Sequence, residues 1–138
     1  MTISEDSKFL LEPGESTFML ESSGGNELEL LKSCPENPRP IIGVVCHPHS
    51  LFGGTLNNKV VYTIAKAFRE LGLCTIRFNF RGVGKSTGAY DQGIGETEDV
   101  LTIFKWLQKQ VPDYKIWLAG FSFGSYVAAR ANQAWPVE

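Results

Sequence analysis

The sequence predicts an α/β fold in three layers, with helices on both faces of a mostly parallel sheet and an antiparallel hairpin at the N-terminal end. Two observations carry this. Ile41–Cys46, Leu73–Phe80 and Lys115–Gly120 are short, largely apolar runs, as expected of strands covered on both faces. They alternate with stretches at helical spacing, and that alternation implies right-handed crossovers between parallel strands.

The elements follow in order. Residues 1–16 are polar and are expected to fray, leaving 17–138 as the folded domain. Thr17–Leu20 and Glu27–Leu31 are strand-like, and Ser22-Ser23-Gly24-Gly25-Asn26 between them reads as a hairpin turn. Cys34 to Pro40 holds three prolines and reads as a connector. From Asn57 to Leu71, Val60, Val61, Ile64, Ala65, Phe68 and Leu71 recur at helical spacing, with Gly72 in the stop position.

A glycine-rich loop is expected from Arg81 to Gly95, then a helix over Thr97–Gln110 that buries Val100, Ile103, Phe104 and Leu107. Glu96, Glu98 and Asp99 suit the positive end of its dipole. After the strand at Lys115–Gly120, a last helix is expected over Ser122–Ala134.

The totals narrow the function. A chain of 138 residues can bury one real core. A net charge of -2 with the two signs interspersed argues against nucleic acid or an anionic membrane as partner. Cys34, Cys46 and Cys74 leave an odd one under any pairing, and Cys46 and Cys74 lie in apolar runs. Free, small apolar thiols in a reducing compartment are the simpler expectation. The N-terminus lacks a basic region followed by an apolar stretch, and no run approaches the roughly 20 apolar residues that span a bilayer. A cytoplasmic protein is expected.

One pentapeptide carries the chemistry. Gly120-Phe121-Ser122-Phe123-Gly124 fits G-x-S-x-G and sits between a predicted strand and a predicted helix, the context the motif requires. A sharp turn there would lift the Ser122 hydroxyl above the sheet edge. Strand and helix would nearly collide, so Gly120 and Gly124 must be small. The Phe123 amide would lie at the helix N-terminus, placed to stabilise an oxyanion.

The loop after the first apolar strand is Cys46-His47-Pro48-His49-Ser50-Leu51-Phe52-Gly53-Gly54. With such a serine, this loop supplies the second oxyanion donor. Pro48 has no N–H, which leaves His49 or Ser50. Gly53 and Gly54 let the backbone turn and approach closely. His47 is read as a residue that bonds backbone groups and shapes the loop. No acidic residue or third histidine lies nearby to complete a metal site, so none is expected.

Gly84-Lys85-Ser86 looks like the end of a phosphate-binding loop. The full pattern needs glycine at position 79, which is Asn79, and a helix directly after the serine, where loop residues follow instead. Nucleotide binding is set aside, and no motif calls for a cofactor.

Taken together, His47-Pro48-His49-Ser50-Leu51-Phe52-Gly53-Gly54, Phe78-Asn79-Phe80-Arg81-Gly82-Val83-Gly84-Lys85-Ser86 and the serine pentapeptide resemble the small lidless α/β-hydrolases of bacteria, relatives of dienelactone hydrolases and serine esterases. The resemblance implies acyl transfer on a small carboxylic ester, with Ser122 as nucleophile and Phe123 with His49 or Ser50 as the oxyanion hole. It also implies an acid after a later strand and a histidine near the C-terminus. The chain stops at Glu138, before either. Asp91, Asp99 and Asp113 lie in the wrong segments to replace that acid, and His47 and His49 precede the serine. Without a base, a serine hydroxyl is a poor nucleophile.

Two readings follow. One is a serine hydrolase represented by a truncated or partial chain. The other is a finished product without catalysis, an inactive protein or a binding module on the same fold. A sheet ending at the nucleophile strand would also expose an apolar edge, so self-association through it is expected.

Overall fold

The computed structural model describes residues 5–22 and 25–137. The elements among these residues are, in order, α1 (Glu5–Leu11), β1 (Gly14–Glu21), β2 (Glu27–Cys34), β3 (Ile41–Cys46), α2 (Lys59–Glu70), β4 (Cys74–Phe78), α3 (Ile94–Gln110), β5 (Lys115–Gly120) and α4 (Phe123–Ala134), with a 3₁₀ turn at Ser50–Phe52 between β3 and α2.

Among the described residues, five strands form one sheet in the order β1-β2-β4-β3-β5. The hairpin strand β2 pairs antiparallel with β1 and with β4, while β3 pairs parallel with β4 and β5. The sheet is therefore mixed, with its parallel half on the side of β5. Each parallel connection runs through a helix, α2 between β3 and β4 and α3 between β4 and β5, as parallel neighbours require.

The helices divide between the faces. On one, α2 lays Val61 and Ala65 on Val45, with Ile64 and Phe68 alongside. On the other, α3 and α4 close the main core, where Phe78, Phe80, Phe104 and Ile103 are fully buried. Burying each such side chain contributes about 1.5–3 kcal/mol. Every residue of β3 is buried, as its unbroken apolar run requires. Gly43 is part of that fit: the Phe68 ring lies where its Cβ would be.

Local chemistry sets the helix ends. The Asn58 side chain accepts from the amides of Val60 and Val61 and so starts α2. Gly72 follows that helix at φ 90, a conformation that favours glycine. The start of α3 lies at Ile94, three residues before the expected Thr97. Glu96 is the reason: its carboxylate accepts from the amides of Asp91 and Gly93, which organises the first turn.

Two expectations change, and a third lies partly outside the described residues. Fraying does not hold for residues 5–16, since α1 forms, β1 begins at Gly14 and Leu10 is fully buried against the main core. The hairpin turn falls partly on Ser23 and Gly24, outside the described residues; at its margin the Ser22 amide and hydroxyl both donate to the Asn26 carbonyl, at 2.8 and 3.2 Å. Cys74 is not a free thiol. The β2–β4 register sets Ser33 opposite Thr75, which places Cys34 opposite Cys74, and the two are joined as a disulfide with a Cα–Cα distance of 4.1 Å. Cys46 is free and buried. Among the described residues no helix is long and apolar enough to cross a membrane.

Candidate active site

The C-terminal ends of β3, β4 and β5 converge on Ser122. Between β5 and α4 the chain passes through Ser122 at φ 57 and ψ -121, outside the left-handed helical well and rare for any residue with a side chain. Holding such a backbone costs about 1–3 kcal/mol and requires rigid surroundings. Those surroundings are tight. A methyl group on Gly120 would overlap the Gly124 carbonyl, and one on Gly124 would overlap the carbonyl oxygens of Cys46 and His47. The Phe121 amide donates to the Cys46 carbonyl at 3.2 Å, tying the turn to the end of β3.

Ser122 is exposed. Behind it the first turn of α4 fills its own bonds: Gly124 N donates to Phe121 O at 3.0 Å, and Ser125 N and Tyr126 N to Ser122 O at 2.9 and 3.3 Å. The Phe123 amide takes no part in these bonds. It stands at the first position of the helix, where amides have no intrahelical acceptor and the dipole favours negative charge.

The loop after β3 is organised by its own backbone. Phe52 N and Gly54 N both donate to His49 O, Gly53 N donates to Ser50 O, and Leu51 N donates to His49 Nδ1 at 3.1 Å. The amides of His49 and Ser50 take no part in this set. Gly53 turns the loop at φ 81, and a Cβ on Gly54 would overlap the Pro48 carbonyl. The Ser50 hydroxyl oxygen is buried without a hydrogen-bond partner among the described residues. This loop meets the serine turn through aromatic contact, with the His49 and Phe123 rings 4.8 Å apart.

His47 is fully buried and uses both ring nitrogens. Its Nε2 accepts from Phe80 N at 2.9 Å, and its Nδ1 lies 2.6 Å from Pro48 O. Only the neutral ring with its proton on Nδ1 satisfies both. A second proton would set one N–H against another. Burial lowers its pKa to about 4, against smaller opposing contributions from the Pro48 carbonyl and from Glu96. The side chain thus braces the loop after β3 against the end of β4, and neither nitrogen is open to take a proton from Ser122.

The loop after β4 is braced by side-chain bonds that the sequence motifs do not reveal. Asn79 accepts from Leu56 N and donates to Glu29 Oε1, both at 2.8 Å, and the same carboxylate oxygen accepts from Lys85 N. The Ser86 hydroxyl donates to Asn79 O at 2.7 Å and accepts from Glu29 N at 2.8 Å. Glycine-lysine-serine here is a surface loop pinned to the hairpin. Arg81 spans the carboxylate of Asp99, with Nη2 2.8 Å from Oδ1, and its amide donates to Oδ2 at 3.0 Å. Burial pushes the Asp99 carboxyl up, and its bonds to Arg81 pull it back toward the ionised form. Those same bonds raise the Arg81 pKa, which favours a charged pair. Asp99 is therefore a tether for the loop rather than the dipole partner expected on α3. The Arg81 guanidinium also lies where a Cβ on Gly95 would be. Glu96 carried one legible signal, its place three residues after a glycine at a helix start.

His47 predicts a pH dependence. The unfolded chain takes up a proton near pH 6.5, which folded His47 refuses until about pH 4. Its contribution is complete above the unfolded value and is lost as pH falls between the two. Relative to His47→Gln, the unfolding free energy of the wild-type protein should drop by about 3 kcal/mol across this window, measured by denaturant titration. Parallel pH profiles for the two proteins would contradict the assignment.

Comparison with known proteins agrees with this geometry. A family model described as alpha/beta hydrolase fold matches residues 43–133. An alpha-beta serine hydrolase homologue from Coxiella burnetii is 47% identical, with a TM-score of 0.85 over 88% of this chain and 59% of that one. A serine hydrolase without a lid from Xanthomonas campestris is 43% identical, with a TM-score of 0.84 over 90% of this chain and 58% of that one. An uncharacterized protein of Rickettsia prowazekii is 44% identical over 93 residues, 67% of this chain and 39% of that protein. This chain thus spans less than two thirds of the length of each. It belongs to the α/β-hydrolase family.

Proposed function

We propose that Ser122 is the nucleophile of a serine hydrolase acting on a small carboxylic ester. The observation that carries this reading is the backbone at Ser122, φ 57 and ψ -121, directly ahead of the first amide of α4. Ser122 Oγ attacks the carbonyl carbon and the alcohol leaves with a proton, giving a serine ester. Water then attacks that ester and releases the acid. In both steps the negative oxygen is held by the Phe123 amide and by the amide of His49 or Ser50. Removing one such donor typically costs 10²–10³ in rate, roughly 3–4 kcal/mol.

His47 has both nitrogens occupied and Asp99 is bound to Arg81. We place the acid and histidine of the triad in the portion of the longer protein that these 138 residues do not include, as the coverage of its serine hydrolase relatives suggests. Alone, these residues would retain roughly 10³-fold acceleration over water, from binding and the oxyanion hole. That supports the second reading, an inactive or purely binding product, for the 138-residue chain by itself.

A fluorophosphonate probe tests the assignment. In the longer protein it should attach to Ser122, and Ser122→Ala should abolish both labelling and ester turnover. Labelling that survives Ser122→Ala ends the proposal. Ester turnover by the 138-residue chain alone, abolished by the same change, would instead end the inactive reading.

The edge of β5 is proposed as a site of self-association. Among the described residues it has a neighbour only in β3, and Ile116 and Leu118 beside it are half-buried. Light scattering of the 138-residue chain should show dimers or larger species, and a monodisperse monomer would refute this part.

A further inference from the structure

Five rings gather at the candidate active site from three separate segments. The His49 ring is central, with ring centroids 4.9 Å from Phe52, 4.7 Å from Tyr90 and 4.8 Å from Phe123. Phe123 in turn lies 5.9 Å from Tyr90 and 6.3 Å from Tyr126. These separations lie within the range of aromatic pairing. Phe52 is 86% exposed and Tyr126 51% exposed, so the cluster presents an open wall, while Phe123 anchors it to the core against Phe80.

The wall is also held in place. Tyr126 packs where a Cβ on Gly93 would sit, 2.9 Å from its Cε2, and its hydroxyl accepts from Arg130 Nη1 at 3.3 Å. His49 is fixed by accepting the Leu51 amide at Nδ1. Rings fixed before a ligand arrives lose little freedom on binding it.

We infer that this wall selects the acyl group, and that the preferred ester carries an aryl or arylalkanoyl acid held against Phe52, Tyr90 and Tyr126. This rests on the hydrolase reading, which pins the occupant. A carbonyl oxygen held by the Phe123 amide and by that of His49 or its neighbour Ser50 is held by residues that are themselves part of the ring cluster. In Phe123 and His49 only Cα and Cβ separate the amide nitrogen from the ring. Both substituents of that carbonyl, acyl chain and alkoxy group, therefore start beside the wall; the acyl chain is the one assigned to it, because it stays on Ser122 after the alcohol has left. A planar group gains edge and face contacts there that a flexible alkyl chain of the same length does not.

The test separates ring recognition from serine chemistry. 3-Phenylpropanamide and heptanamide, unreactive carbonyl compounds of the same length from carbonyl to far end, are titrated into the protein and followed by the backbone amide NMR shifts of Phe52, Tyr90, Phe123 and Tyr126. The phenyl compound should bind about 10-fold more tightly, as two added ring contacts provide, with the largest shifts at these residues. Tyr126→Leu, which removes one of the two contacts, should bring the two affinities within about 3-fold of each other. Equal binding in the wild-type protein, shifts centred elsewhere, or a preference untouched by Tyr126→Leu would overturn the inference. Aryl preference without fluorophosphonate labelling of Ser122 would defeat the hydrolase reading and leave the ring site standing. Labelling without aryl preference would defeat this inference alone.

Discussion

The whole site depends on one steric constraint, the contact between the turn at Ser122 and the carbonyl end of β3. Gly120 and Gly124 have no room for a side-chain atom, because each faces backbone oxygen. Backbone cannot rotate away as a flexible side chain can, so the two glycines let the chain reverse there. Once it does, Ser122 takes its rare φ and the amide of Phe123 becomes the first of a helix. Strain at one residue and order in the next turn are two sides of the same packing.

That strain persists only because the loops around it are rigid, and each is fixed by polar groups bonded to backbone. His47 joins the loop after β3 to Phe80, Glu29 and Asn79 pin the loop after β4 to the hairpin, and Asp99 holds Arg81. Hydrogen bonds of this kind contribute modestly when made but are costly to break, since the abandoned partner stays buried. His47 shows the consequence for chemistry. The burial that lets it brace two loops also keeps it neutral and occupied, so a histidine that the fold brings beside the serine turn is unavailable as its base.

Strands, helices and the serine turn were legible because periodicity and local motif reside in neighbouring residues. β3 declared itself as an unbroken apolar run, and the pentapeptide at 120–124 fell between a strand and a helix. What escaped notice depends on pairing across the sheet. Cys34 meets Cys74 because β2 lies beside β4, a neighbourhood that chain order hides. Glu29 reaches Asn79 and Lys85 for the same reason. Leu10 was overlooked because one buried side chain in a short polar segment leaves no period to detect. The start of α3 was misplaced because Glu96 caps the turn at Gly93 from inside the helix, through a bond that composition does not reveal.

Gly124→Ala examines the constraint directly, because it adds one methyl group and changes no charge or hydrogen bond. With backbone oxygens of Cys46 and His47 on the far side, the variant should lose about 3 kcal/mol of unfolding free energy, the upper end for overpacking. Chemical denaturation of the two proteins side by side measures the difference. A variant as stable as the wild type would mean that β3 and α4 do not meet at this glycine, and the account of the turn at Ser122 would be wrong.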